Sequence, residues 1–69
     1  MKSIKELRVE ASLTQLELAN AIGVTPSAVY KWERGQTEPS ATNLRDLAEA
    51  LRVSMDDIDL RVWYAKSAA

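Results

Sequence analysis

Residues 14–35 constrain this chain more than any other stretch, because they write two short amphipathic helices, one tight turn between them, and all four helix ends. Thr14 and Glu17 have capping-box spacing, in which a hydroxyl and a carboxylate satisfy backbone donors that the first helical turn leaves without partners. Leu13 and Leu18 occupy the two positions of a hydrophobic staple, which sets the angle at which the chain joins the helix. Gly23 stops it, since a left-handed residue is usual just past a helix end and glycine has no Cβ to object. Only Val24 separates that stop from Thr25, the next N-cap, and Pro26 follows at the first helical position, where a missing N–H is harmless. Val24 and Val29 repeat the staple. The second helix runs to Arg34 and stops at Gly35, and so short a connection forces the two helices to cross steeply, leaving the second with an outward face.

The rest of the chain reads as helix too. Ser3 and Glu6 form another capping box, and Ile4, Leu7 and Ala11 follow at helical spacing, so a first helix covers about Ile4 to Ala11. After Pro39, Ser40 caps a fourth helix from Ala41 to about Leu51, striped by Leu44, Leu47, Ala48 and Leu51. Ser54 with Asp57 starts a fifth, with Val53 and Ile58 at its staple positions. No segment alternates with period two. The expected fold is all-α with five helices, and its core is Leu7, Leu18, Ala19, Ile22, Val29, Trp32, Leu44, Leu47, Ala48, Leu51 and Ile58. Gln36 to Pro39 reads as a surface turn. Residues 1–60 form the domain, and 61–69 are a C-terminal extension whose last residues, Lys66 to Ala69, have little apolar content.

Sixty-nine residues suit one small domain. With no cysteine and no histidine, disulfides, thiolate metal sites and the commonest general base are all missing, so an enzyme, a metal site and a cofactor are not expected. No run approaches the roughly 20 apolar residues of a membrane span, and the start of the chain lacks the apolar core of a secretory signal. A cytoplasmic protein with no membrane partner is the expectation. The net charge of −1 argues against indiscriminate polyanion binding, but it is unevenly spread: residues 1–36 carry +1 and residues 37–69 carry −2. The half that holds the two-helix motif is the positive one.

Gln15, Leu18-Ala19, Gly23-Val24, the run Val29 to Gly35, Pro39-Ser40, Leu47-Ala48 and Leu51 occur in an order and spacing that resembles the phage-repressor and Cro family (XRE-type) of helix-turn-helix DNA-binding domains. The likeness covers about residues 3–60. It implies a compact five-helix, lambda-repressor-like domain in which helices 2 and 3 bind double-stranded DNA, helix 3 lies in the major groove, and a homodimer sits on a palindromic operator. It also implies that Gln15 anchors a backbone phosphate, and that Arg8 pairs with Glu33 to lock helix 1 to helix 3.

On helix 3, Ser27, Tyr30, Lys31 and Arg34 are spaced to share one face, opposite Val29, Trp32 and Glu33. Lys31 suits guanine O6 and N7, Ser27 a base edge or phosphate, and Ala28 a thymine methyl. Tyr30 and Arg34 suit the flanking backbone, and Thr25 and Gln36 are further phosphate candidates. Three positions depart from the family pattern. Pro26 stands where relatives often carry a base-reading amide, Glu38 stands where several use a basic residue, and Arg52 takes a helix-ending position usually given to glycine, so helix 4 is expected to end differently.

Val62, Trp63 and Tyr64 are too apolar for a solvated tail. Either they close the core or they form a dimer interface, and the interface reading is preferred because aromatics near a chain end supply contact area at little entropic cost. The leading functional expectation is a sequence-specific DNA-binding transcriptional regulator. The alternative is a protein-interaction module, antitoxin-like or otherwise partner-binding, with DNA binding weak or secondary.

Overall fold

Each helix starts where a side-chain oxygen takes up a first-turn N–H. The computed structural model describes residues 1–63, and these form α1 (Ile4–Glu10), α2 (Gln15–Ile22), α3 (Pro26–Glu33), α4 (Ala41–Leu51) and a single 3-10 turn, Met55–Asp57. Ser3 Oγ accepts from the Glu6 N–H at 3.1 Å while the Ser3 N–H donates to Glu6 Oε1 at 3.1 Å. Thr14 and Glu17 make the same reciprocal pair at 3.0 and 2.9 Å. Thr25 caps α3 through the Ala28 N–H and Ser40 caps α4 through the Asn43 N–H, both at 3.1 Å.

Helices α1 to α4 also end alike. A left-handed residue follows each one, and the N–H after it reaches back to a carbonyl in the last turn: Ser12 with Leu13 to Arg8 O, Gly23 with Val24 to Ala19 O, Gly35 with Gln36 to Lys31 O, and Arg52 with Val53 to Ala48 O. This is the Schellman arrangement. Leu13, Val24 and Val53, just past three of these stops, turn back onto the core. Helix α4 therefore ends as its relatives are expected to, against the sequence expectation, with an arginine at φ 59° where glycine would be at ease.

α2 packs on α3 and α4, α1 on α3, and α4 on the 3-10 turn. Nine of the expected core residues are buried, while Ile22 and Leu44 sit half-buried at the rim, and Ile4 and Trp63 complete the interior. Pro39, expected in a surface turn, is buried as well. A proline has no N–H to leave unsatisfied, so it anchors the loop whose Gln36 to Glu38 remain exposed.

One expectation about the C-terminal region is sharpened and one is corrected. The expected fifth helix is present, capped by Ser54 and Asp57, as one 3-10 turn, and it goes no further because the backbone beyond it is taken by the N-terminus: the Lys2 N–H donates to Asp57 O at 3.1 Å and the Asp59 N–H to Lys2 O at 2.8 Å, a parallel bridge that holds Ile58 extended. Arg61 then clamps the Asp59 carboxylate from its side chain and its backbone N–H, holding that carboxyl down at about 2. Trp63 closes the core at 4% exposure, so its indole is not available as subunit-interface surface. Val62 does face outward, and Tyr64 lies outside the described residues.

Arg52→Gly should stabilise the protein by roughly 1 kcal/mol, because the left-handed conformation disfavours any residue with a Cβ. In a domain of this size that raises the melting temperature by about 4–8 °C. Gly23→Ala is the reverse experiment. At φ 74° a Cβ there would meet no atom within 4 Å, so the expected loss of about 1 kcal/mol comes from the backbone alone. Thermal unfolding of both variants checks the pair, and a neutral Arg52→Gly would show that the arginine side chain contributes as much as its backbone strain removes.

Candidate nucleic-acid interface

Glu33, at the last turn of α3, organises the ground beneath the two-helix motif. Its carboxylate accepts from Arg8 Nε at 2.6 Å and Nη2 at 3.2 Å, and from Gln15 Nε2 at 3.1 Å. Arg8 also donates from Nη1 to the Leu13 carbonyl at 2.8 Å, so one guanidinium ties α1 to α3 and to the loop that leads into α2. The two charged side chains are 12% and 4% exposed, which makes this a nearly buried, hydrogen-bonded ion pair. The pairing that the resemblance implied is present. Gln15 as a third member was not legible, since nothing in the spacing of positions 8, 15 and 33 joins them.

That contact decides which way the Gln15 amide points. A carboxylate only accepts, so Nε2 is turned inward with one hydrogen on Glu33 and its second hydrogen left for another acceptor. The half-buried side chain is thus held at the start of α2, beside first-turn N–H groups at the positive end of the helix.

Along α3 the expected face is real. Thr25, Ser27, Tyr30, Lys31, Arg34 and Gln36 are all exposed, while Val29 and Trp32 are buried on the opposite side. Thr25 keeps its capping bond, and its hydroxyl hydrogen points elsewhere. Ala28 does not join the face. It is half-buried against the core, so the methyl contact expected of it is not carried forward. Arg34, the residue that caps α3, lies with its guanidinium carbon 5.5 Å from the centroid of the Tyr30 ring, a cation-π stack that no sequence signal announced beyond the i, i+4 spacing.

A capped helix pair crossing on a shared core, with the second helix carrying exposed hydroxyl and cationic side chains, is the architecture of a helix-turn-helix domain. The chain belongs to the helix-turn-helix family, whose model matches residues 4–58. It is 38% identical over 53 residues to Repressor protein C2 of Salmonella phage P22, which covers 77% of this chain and 24% of that protein. It is 41% identical over 56 residues to an uncharacterized HTH-type transcriptional regulator of Methanothermobacter thermautotrophicus, covering 80% of this chain and 81% of the relative. Its fold is similar to the solution NMR structure of the DNA-binding domain of the P22 C2 repressor, with a TM-score of 0.75, 34% identity and 88% of each chain covered. The chain spans about a quarter of the full phage repressor.

Arg8→Ala should remove about 3 kcal/mol, because it leaves the Glu33 carboxylate almost buried with only an amide for company. For a domain of this size that is a large share of the total stability. Changing both partners, Arg8→Met with Glu33→Leu, should recover most of the loss, since no charge is then left desolvated. Denaturant titration of the single and double variants measures this, and a single variant within about 0.5 kcal/mol of wild type would mark the pair as a solvent-screened surface contact.

Proposed function

We propose that this chain is a sequence-specific DNA-binding transcriptional regulator that lays α3 in the major groove of an operator. The observation that carries the reading is the outward face of α3, where Ser27, Lys31 and Arg34 stand exposed on a helix braced from beneath by Glu33. Among the described residues no carboxylate pairs with Lys31 or Arg34, nor with Lys5 or Arg52, whereas Lys2, Arg8, Arg45 and Arg61 each have one. An acidic protein thereby keeps cationic charge where a polyanion would dock. In this reading Ser27 and Lys31 meet base edges, Gln15, Thr25 and Gln36 meet phosphates, and Tyr30 with Arg34 lies toward the flanking backbone. Pro26 supplies no base contact, so Lys31 carries most of the direct readout.

The site of action is the cytoplasm, where such an operator would be. Among the described residues no helix is long and apolar enough to cross a membrane.

Selection from random-sequence DNA, read by gel shift, tests the proposal: one enriched sequence is expected. Failure to enrich any, even at low salt, would leave the protein-interaction reading, which the net charge of −1 and the exposed Glu38 favour. On the enriched duplex, Lys31→Ala should change the order of preference among single-base variants, and Gln15→Ala should weaken all of them about equally. Uniform loss from Lys31→Ala would move that lysine to the phosphates.

One short recognition helix spans a half-site, so we further propose a homodimer on a palindrome, with half-site centres roughly 34 Å apart. A groove lined by Met1, Met55, Ile58 and Leu60, with Asp56 and Arg61 as its charged members, lies at this end of the molecule, and Met55 and Val62 are exposed there, which supports it as the contact. Sedimentation of the protein on the enriched duplex should give two copies per site, and Val62→Asp should favour one. Two copies at undiminished cooperativity in that variant would place the contact elsewhere.

A further inference from the structure

We propose that Tyr30 is a positioning residue: its ring holds the Arg34 guanidinium in the orientation that engages a backbone phosphate, and the phenol contributes through Arg34 rather than through its own hydroxyl. The inference rests on the DNA-binding reading above and adds a division of labour within α3 that neither the family nor the exposure of the two side chains assigns.

The geometry supplies the argument. Arg34 caps α3 and Tyr30 lies one turn earlier, so the two side chains share a face and meet at 5.5 Å from guanidinium carbon to ring centroid. Tyr30 is 41% exposed and is not one of the residues packed against the core. Arg34 has no carboxylate partner among the described residues, because the nearest acid in sequence, Glu33, is taken up by Arg8 and Gln15. A long cationic side chain with no ion pair loses much rotamer freedom when it binds a phosphate. Stacking on a flat ring removes part of that freedom beforehand, and a planar guanidinium still directs its edge donors outward while its face is covered. Arg34 lies seven residues beyond Ser27, about 10 Å further along the helix axis, which puts it at the groove's edge when the start of α3 reads bases. The negative end of the helix dipole also favours a cation at that position.

The test is a double-mutant cycle on the duplex enriched by selection, with affinities measured across a salt series. Arg34→Ala should weaken binding to every operator variant and reduce the slope of log K against log salt by about 1, the signature of one lost phosphate contact. Tyr30→Ala should weaken binding by roughly two- to fivefold with the slope nearly unchanged, since the charge is still there but no longer held. Tyr30→Phe keeps the ring and should bind like wild type. In the Arg34→Ala background, Tyr30→Ala should have no further effect. Additive losses, or a Tyr30→Phe variant as weak as Tyr30→Ala, would overturn the proposal by showing a direct contact from the phenol. A second measurement needs no DNA: the NMR order parameter at the Arg34 side chain of the unbound protein should fall in Tyr30→Ala and hold in Tyr30→Phe. An Arg34 side chain equally mobile in all three proteins also overturns it. If the stack orders Arg34 but wild type enriches no DNA sequence, the DNA-binding reading fails, and the phosphate role of the pair fails with it while the ordering stands.

Discussion

The nearly buried carboxylate of Glu33 is the constraint on which the rest of the architecture depends. A charge removed from water needs several donors to offset its lost hydration, and this one recruits them from α1 and from the start of α2. Because those donors are a guanidinium fork and an amide, the pairing fixes direction as well as distance. Hydrophobic packing could tolerate some rotation of α3 against α1 and α2, whereas the fork cannot. The face of α3 that carries Lys31 is thus aimed by an interaction on the opposite side of the helix, and Gln15 is aimed by the same atoms.

Short helices make ends matter more than middles. With seven or eight residues, α1, α2 and α3 each leave most of their N–H or C=O groups outside the regular ladder, so caps and stops decide whether they form at all. The chain meets this need four times with one device at the C-terminal ends, and two of those stops use Ser12 and Arg52 in place of glycine. The Arg8 carbonyl at the end of α1 is bound by the Leu13 N–H, while the Arg8 guanidinium binds the Leu13 carbonyl. Backbone and side chain of one residue therefore brace the same turn, which offsets the strain at Ser12.

Charge follows a similar economy of position. Among the described residues, several cations away from α3 are paired with neighbours, Lys2 with Glu10, Arg45 with Asp46 and Arg61 with Asp59, while Lys5 and Arg52 are not. Net charge, the quantity that composition reports, hides this, because a polyanion senses the local field within about a Debye length rather than the total. A slightly acidic domain can present cationic side chains along α3 because the acid nearest them in sequence, Glu33, is engaged beneath the helix.

What the sequence determined by itself is the set of element starts and stops, since a cap is a contact between residues three apart and a left-handed stop is a property of one residue and its neighbours. Thr14 with Glu17, Thr25 with Pro26, Gly23 and Gly35 could be read without a fold. The apolar stripes of α1 to α4 were legible for the same reason, periodicity being local. The tertiary structure decided whatever joins distant positions: Gln15 on Glu33, Pro39 and Trp63 in the core, and the 3-10 turn held short by Lys2 from the other end of the chain. Each of these trades a locally sufficient arrangement for a better one with a remote partner. Local signals specify what a segment can form alone, and packing chooses among those options when a buried charge, an apolar ring or an unpaired backbone group finds a partner that sequence distance conceals.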